Sequence, residues 1–211
     1  YNETINKSDL VGYWNFDRNT TLVNDLSGKN NDGTRNGGVN WTTGGKLESG
    51  YTFDGVNDYI NLSNPASLTP GANNWTMSAW VKPNSLNRMV LMGYLKTDGA
   101  RDYIEMEQTA LGRFEIVYSS DNQATYRRAT SLTDNVAGVW YHVVGVRDGT
   151  TVRLYINGLQ NATGVGDVGI IDSESSDVTN AIGRAGSYNS LLFNGSIDEV
   201  MIFNKSLSAT D

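Results

Sequence analysis

The 211 residues carry 16 Lys and Arg against 23 Asp and Glu, a formal net charge of −7, with a single His and no Cys. That balance excludes a basic footprint for nucleic acid or anionic lipid, and the missing Cys excludes disulfides, thiolate metal sites and cysteine nucleophiles. A hydrophobic fraction of 38% with only 18% charged residues excludes a disordered chain, and no apolar run reaches the roughly 18 residues of a helical membrane span, so this segment is not expected to insert in a membrane.

Helical periodicity is almost absent. Short runs rich in Val, Ile, Tyr, Trp and Phe recur between clusters of Gly, Asn, Asp and Ser, the pattern of an all-β protein. Taken along the chain, strands are expected near 10–16, 50–54, 57–62, 74–82, 88–95, 102–108, 113–119, 125–131, 139–147, 151–157, 180–184 and 195–203. Alternation sets Met77, Ala79 and Val81 on one face and Thr76, Ser78 and Trp80 on the other. By the same rule Ile104, Met106, Phe114, Ile116, Val152, Leu154 and Ile156 point into a core. Tyr103, Glu105, Glu107, Arg113, Glu115, Arg153 and Tyr155 point away from it. Gly112 and the Asp148-Gly149 pair supply hairpin turns. Two antiparallel sheets packed face to face follow, as one domain over 1–211. A chain that begins at Tyr1 and ends Leu207-Ser208-Ala209-Thr210-Asp211 reads as a piece excised from a longer surface polypeptide.

Several segments in order carry a resemblance. They are Gly12-Tyr13-Trp14-Asn15-Phe16-Asp17, Asp25-Leu26-Ser27-Gly28-Lys29-Asn30-Asn31-Asp32-Gly33 and Phe53-Asp54-Gly55-Val56-Asn57-Asp58-Tyr59-Ile60. Ser78-Ala79-Trp80-Val81-Lys82-Pro83, Trp140-Tyr141-His142-Val143, Leu154-Tyr155-Ile156-Asn157-Gly158 and Gly195-Ser196-Ile197-Asp198-Glu199-Val200 follow. Each is a turn followed by a strand. Together, the chain resembles the laminin-G-like, concanavalin A-like jelly rolls, the superfamily that also includes pentraxins. The fold this implies is an all-β, two-sheet antiparallel jelly-roll sandwich.

Asp25, Ser27, Asn30 and Asp32 offer only oxygen donors in a Gly-containing loop, the chemistry calcium selects. The resemblance implies a structural calcium between this loop and the acidic residue of the last strand motif, which carries onto Asp25, Asn30 and Asp198, with the carbonyl of Gly28. A β-bulge near Asp198 would be needed to turn it toward the loop. The competing reading is an Asx-turn in which Asp25 bonds backbone amides alone.

Glu105 and Glu107 share a strand face, with Glu115 on the neighbouring strand, within the reach of a glycosidase carboxylate pair. The superfamily's laminarinase-type hydrolases carry Glu-x-Asp-x-x-Glu, which Asp102-Tyr103-Ile104-Glu105-Met106-Glu107-Gln108 does not match. His142 has no Gly-x-Ser-x-Gly elbow for company. No enzyme activity is expected.

Eleven Tyr and five Trp suit sugar recognition, because sugar C–H faces stack on aromatic rings. The candidate ligand-binding residues are Tyr94, Tyr103, Tyr126 and Tyr188, with Arg127, Arg184 and Glu105 as polar partners. Trp14, Trp75, Trp80, Trp140 and Tyr155 are assigned to the fold. Asn-x-Ser/Thr acceptor patterns start at Asn2, Asn6, Asn19, Asn40, Asn61, Asn74, Asn161, Asn194 and Asn204 and suggest a glycosylated extracellular or cell-surface protein. The expected function is non-catalytic recognition or adhesion, with a glycan or a surface protein as partner. A structural subunit of an envelope or filament and a glycoside hydrolase are the alternatives.

Overall fold

The computed structural model describes residues 8–62, 66–69, 73–96, 102–120, 125–165, 178–185, 190–209 and 211, without the side chains of Ala66, Lys96, Thr125, Tyr126 and Val178. Its strands, in chain order, are β1 (Leu10–Trp14), β2 (Leu22–Val23), β3 (Gly33–Asn36), β4 (Asn40–Thr42), β5 (Gly50–Asp54), β6 (Tyr59–Leu62), β7 (Trp75–Pro83) and β8 (Met89–Lys96). Then come β9 (Tyr103–Gln108), β10 (Phe114–Ser120), β11 (Thr125–Thr130), β12 (Tyr141–Asp148), β13 (Thr151–Ile156), β14 (Leu159–Val165), β15 (Val178–Ile182) and β16 (Asn194–Phe203).

They form two eight-stranded sheets. The first runs β14-β13-β12-β7-β16-β5-β4, with β1 also paired to β16; the second runs β11-β10-β9-β8-β15-β6-β3-β2. Each of the expected strands is found, with ends shifted by a few residues. Four others, β2, β3, β4 and β14, were not anticipated. Their sequences are short or polar, such as GTRN in β3 and LQNATGV in β14, and they sit toward the sheet edges where no two-sided burial demands apolar alternation.

The core lies between the sheets. Met77, Ala79 and Val81 from β7 and Val143 and Leu154 from its neighbours meet Ile104, Met106, Phe114 and Ile116 from the second sheet, all buried. A side chain such as Phe114, removed wholly from water, contributes roughly 2–3 kcal/mol of hydrophobic stabilisation. Trp75 stacks against Tyr118 across the sandwich, ring centroids 6.5 Å apart, and Trp14 is fully buried. At Gly145 on β12 the sheets approach so closely that an added Cβ would lie 2.7 Å from Cδ1 of Ile116. The Asp148-Gly149 turn closes the β12–β13 hairpin, with Gly149 at a φ of 57°.

The same architecture corrects one assignment. Tyr94 pairs in register with Ile104, which faces the core, and is only 1% exposed. It packs inside the sandwich and is not available to a ligand.

Candidate functional site

The outer face of the second sheet carries the main concentration of polar groups. Alternation along β9 turns Tyr103, Glu105 and Glu107 outward, and register places Ser119, Val117 and Glu115 of β10 opposite them. On β11 the residues of the same face are Tyr126, Arg128 and Thr130. Together with Arg88, before β8, these strands enclose a depression of about 400 Å³, lined by Arg88, Tyr103, Glu107, Glu115, Val117 and Arg128.

Its electrostatics are set by three carboxylates and two guanidinium groups. Arg88 reaches Glu107 through Nε (3.2 Å) and Nη2 (3.0 Å) to Oε2, and also through Nη2 to Oε1 (3.3 Å). Arg128 Nη1 lies 3.5 Å from Glu115 Oε1, and the Thr130 hydroxyl donates to the other oxygen of Glu115. Among the described residues Glu105 has neither kind of partner. Burial, reinforced by the charge of Glu107 and only partly offset by Arg88, pushes its carboxyl up to about 7. Burial also raises Glu107, against the pull of Arg88, and raises the Tyr103 phenol, with Glu105 and Glu107 adding to the effect. The expectation that these glutamates face outward holds, but Glu105, Glu107 and Glu115 are nevertheless buried side chains, and of the three only Glu107 and Glu115 line the depression.

Of the expected ligand-binding residues, Tyr103 and Glu105 come together here. The backbone of Tyr126 is on the same face; its side chain lies outside the described residues, as does the whole of Tyr188. Arg127 falls on the opposite face, in register with the core-facing Tyr118. One step along the strand, Arg128 holds the position first given to Arg127, which strand alternation alone identifies. Arg184 does not line the depression: its guanidinium lies 3.7 Å from the centroid of the Tyr59 ring, and the residue is buried.

A second concentration, on the outer face of the first sheet, corrects two more assignments. Trp80 and Trp140 are half-buried, not core residues. Trp80 follows Thr76 and Ser78 outward, stacks on His142 at 5.1 Å and has Lys46 Nζ 4.2 Å above its ring. Tyr155 is buried at the wall of a neighbouring hollow, and its hydroxyl reaches Gln160 at 3.4 Å. His142 Nε2 pairs with Ser78 Oγ at 2.8 Å, and burial lowers the imidazole's pKa. Among the described residues no carboxylate bonds the other ring nitrogen, so the pair lacks the orienting acid of a catalytic triad.

A family profile described as the concanavalin A-like lectin/glucanases superfamily matches residues 54–211. The chain belongs to that superfamily. Its name spans sugar-binding and sugar-cleaving proteins, so membership alone does not separate recognition from hydrolysis. No curated protein matches the sequence. Among solved structures, this concanavalin A-like chain is similar to domain 4 of AbnA, a GH43 extracellular arabinanase from Geobacillus stearothermophilus, in complex with arabinotriose. That likeness has a TM-score of 0.76 at 22% identity over 96% of this chain and 95% of the other. It is similar also to the binding domain of Paraclostridial Mosquitocidal Protein 1 (TM-score 0.75, 16% identity, 97% of this chain, 51% of that one). A third is Trypanosoma rangeli sialidase in complex with sialic acid (TM-score 0.70, 15% identity, 96% of this chain, 32% of that one). At these identities the likeness is one of fold, and the chain spans about half and a third of the last two proteins.

The calcium expected from the resemblance can be tested against the oxygens of this lectin/glucanase sandwich. Asp25 Oδ1 accepts the amides of Tyr13 and Ser27, each at 2.9 Å, and Oδ2 accepts the Ser27 hydroxyl (2.7 Å) and the Asn31 amide (2.9 Å). Asp198 does sit at a bulge, between registers to Trp80 and Ser78. Its carboxylate, however, accepts the amides of Lys46 (2.8 Å), Leu47 (2.9 Å) and Glu199 (2.9 Å), groups of a different loop and of its own strand. Burial pushes it up to about 7 against the pull of those amides. Donors crowd both carboxylates where a cation would need open lone pairs, and among the described residues no group of three or more acidic or His side chains converges. Gly28 and Asn30 are exposed in left-handed turn conformations, at φ 83° and 60°. These residues as placed do not fit a calcium cage; Asp25 holds its loop as the Asx-turn alternative has it, with the Ser27 hydroxyl added to the backbone amides.

Of the acceptor asparagines, Asn19, Asn40, Asn61 and Asn204 are exposed, while Asn74, Asn161 and Asn194 use their side-chain oxygens in hydrogen bonds to Gly149, Leu132 and Asn84. Asn2 and Asn6 lie outside the described residues. Among the described residues no helix is long and apolar enough to cross a membrane.

Proposed function

We propose that this chain is a non-catalytic glycan-recognition module of an extracellular or cell-surface protein, holding an oligosaccharide in the depression on β8–β11. The observation that carries the reading is the fate of the carboxylates. Of the expected hydrolase carboxylates, Glu107 and the neighbouring Glu115 are each engaged by an arginine, and Glu105, the other member of the expected pair, is a buried side chain that does not line the depression. A glycosidase keeps one carboxyl protonated as acid and the other free as base or nucleophile. Carboxylates held by guanidinium groups serve instead as fixed acceptors for sugar hydroxyls, while exposed edges of Arg88 and Arg128 donate. The half-buried Tyr103 ring provides an apolar surface for a sugar's C–H face. An extracellular sugar-binding role is supported by the arabinotriose complex of the similar arabinanase domain.

Calorimetric titration with arabinotriose and other neutral oligosaccharides tests the proposal. Saturable binding is expected, reduced at least tenfold by Tyr103→Ala and by Arg128→Ala. Binding left intact by both substitutions would refute the site.

A further inference from the structure

The outer face of the first sheet holds a second hollow, of about 480 Å³, that the recognition depression does not explain. Trp80 and Trp140 form its walls, with Lys46, His142, Asn157 and Gly158 completing it. Three features of this hollow point to a ligand.

The first is aromatic. Two indoles are kept half-exposed on one sheet face, although Trp is among the side chains whose burial contributes most to a core. Strand alternation does not leave Trp80 a choice of face, but nothing about folding requires a Trp there, since Ser78 and Lys82 occupy the same row of β7. The stacked His142 ring extends the flat surface.

The second is charge. Lys46 Nζ stands 4.2 Å from the Trp80 ring centroid and Lys82 Nζ 5.1 Å from that of Trp140. Among the described residues neither lysine is ion-paired, in a chain whose net charge is −7. A cation held over an aromatic face is positioned without being neutralised, because the ring offers a quadrupole and no counter-charge. Among the described residues no carboxylate lines this hollow. The imidazole adds no charge at neutral pH, since burial holds its pKa below the usual value.

The third is hydrogen bonding. Asn157, in a left-handed conformation (φ 53°), is pinned to β12 through its backbone amide to the His142 carbonyl (2.8 Å) and through Oδ1, which accepts the His142 amide (2.9 Å). That leaves its Nδ2 hydrogens as fixed donors at the rim.

Flat apolar surfaces, two cations without counter-ions and an oriented amide donor suit a ring with a C–H face and a negative group. We infer that the Trp80–Trp140 hollow is a second binding site, for a saccharide bearing a carboxylate. The carboxylate meets Lys46 and Lys82, and the sugar ring lies along the indoles. The adjoining hollow of about 460 Å³ shares Trp80, His142 and Gly158 and continues over Val144, Tyr155 and Met201, which extends the track beyond one ring; Glu199 and Asp211 also line it, so the ligand's carboxylate is confined to the lysine end. This site lies on the opposite sheet from the Tyr103 depression, so the two are separable.

The test titrates the full 211-residue chain with trigalacturonate, with sialyllactose and with neutral arabinotriose, at low and at high salt, following tryptophan fluorescence and heat. At least one carboxylated saccharide is expected to bind and to quench, at least tenfold more weakly at high salt. The response to trigalacturonate against sialyllactose tells a uronate from a sialate. The double variant Lys46→Gln, Lys82→Gln, in exposed or half-exposed positions that leave the core untouched, is expected to lose at least tenfold in affinity at an unchanged melting temperature. Trp140→Ala should lose the quench. Neutral-sugar binding in the Tyr103 depression serves as the internal control, removed by Tyr103→Ala and kept in the double lysine variant. Failure of both acidic saccharides to bind, or equal binding by the double lysine variant, overturns the inference and leaves the Tyr103 proposal standing.

Discussion

Glu107 on β9 and Glu115 on β10 stand directly opposite each other, and each is engaged by its own arginine, Arg88 for the first and Arg128 for the second. Like charges in such a cross-strand pair are destabilising by some tenths of a kcal/mol to about 1 kcal/mol. The guanidinium groups reverse that, leaving Glu105 as the one carboxyl of the three without an arginine, and it is the one pushed up to about 7.

Removing one arm exposes the cost. Arg88→Ala leaves the 2%-exposed Glu107 side chain without its partner. Because the Arg88 side chain is itself half in solvent, the expected loss is about 1–2 kcal/mol, less than for a fully buried pair. Urea unfolding at pH 8 should show it, and the loss should shrink as the pH is lowered and Glu107, raised above the usual carboxylate range, takes up a proton.

Glu105 predicts a pH dependence of opposite sense to that of a salt-bridged acid. Its folded-state pKa lies above its unfolded value of 4.5, so between those two pH values the native state binds the extra proton. Its contribution to stability is therefore complete below pH 4.5 and lost as pH rises to about 7. Glu105→Gln should flatten that part of the profile, with a stability gain at pH 8 on the order of 3 kcal/mol relative to the parent. Melting curves of both proteins from pH 4 to 8 measure the difference. A gap that does not widen with pH would contradict the buried, unpaired carboxyl.

Asp25 organises its loop by accepting four donors, three of them backbone amides. Asp25→Ala strands these donors and is expected to cost about 2–4 kcal/mol. The parent's melting temperature is expected to be the same with and without a chelator, since a ligand bound to the native state would stabilise it by mass action. A drop on chelation, absent in Asp25→Ala, would restore calcium.

Gly145→Ala tests the close approach of the sheets. The new methyl would meet Cδ1 and Cγ1 of Ile116 at 2.7 and 2.8 Å. Overpacking of this kind costs about 1–3 kcal/mol, and Ile116→Val beside it should recover part of the loss.

Strand positions and core faces were legible because period-two alternation under two-sided packing leaves a strong imprint, as in Met77-Ser78-Ala79-Trp80-Val81. The edge strand β14 and the next-to-edge strand β3 left none, since their side chains are mostly half-buried or exposed. The binding faces were legible in part. Glu105 and Tyr103 were identified by parity, whereas Arg127 was named with no parity assigned along β11, and one step along that strand exchanges the two faces. Tyr94 was misread because it stands near the end of its expected strand, whereas it pairs with the core-facing Ile104 and is buried. Trp80 and Trp140 were assigned to the fold and not to a site, although parity already placed Trp80 outward with Ser78. The partner of Asp198 could not be foreseen, since the Lys46–Leu47 loop lies about 150 residues earlier in the chain.

The most direct test of recognition without cleavage is release of reducing ends from bound oligosaccharide, followed over a day at pH 5 and pH 7 with the protein in excess. Saturable binding with no new reducing ends is predicted. Glycosidic cleavage that disappears in Glu105→Gln while binding persists would contradict it.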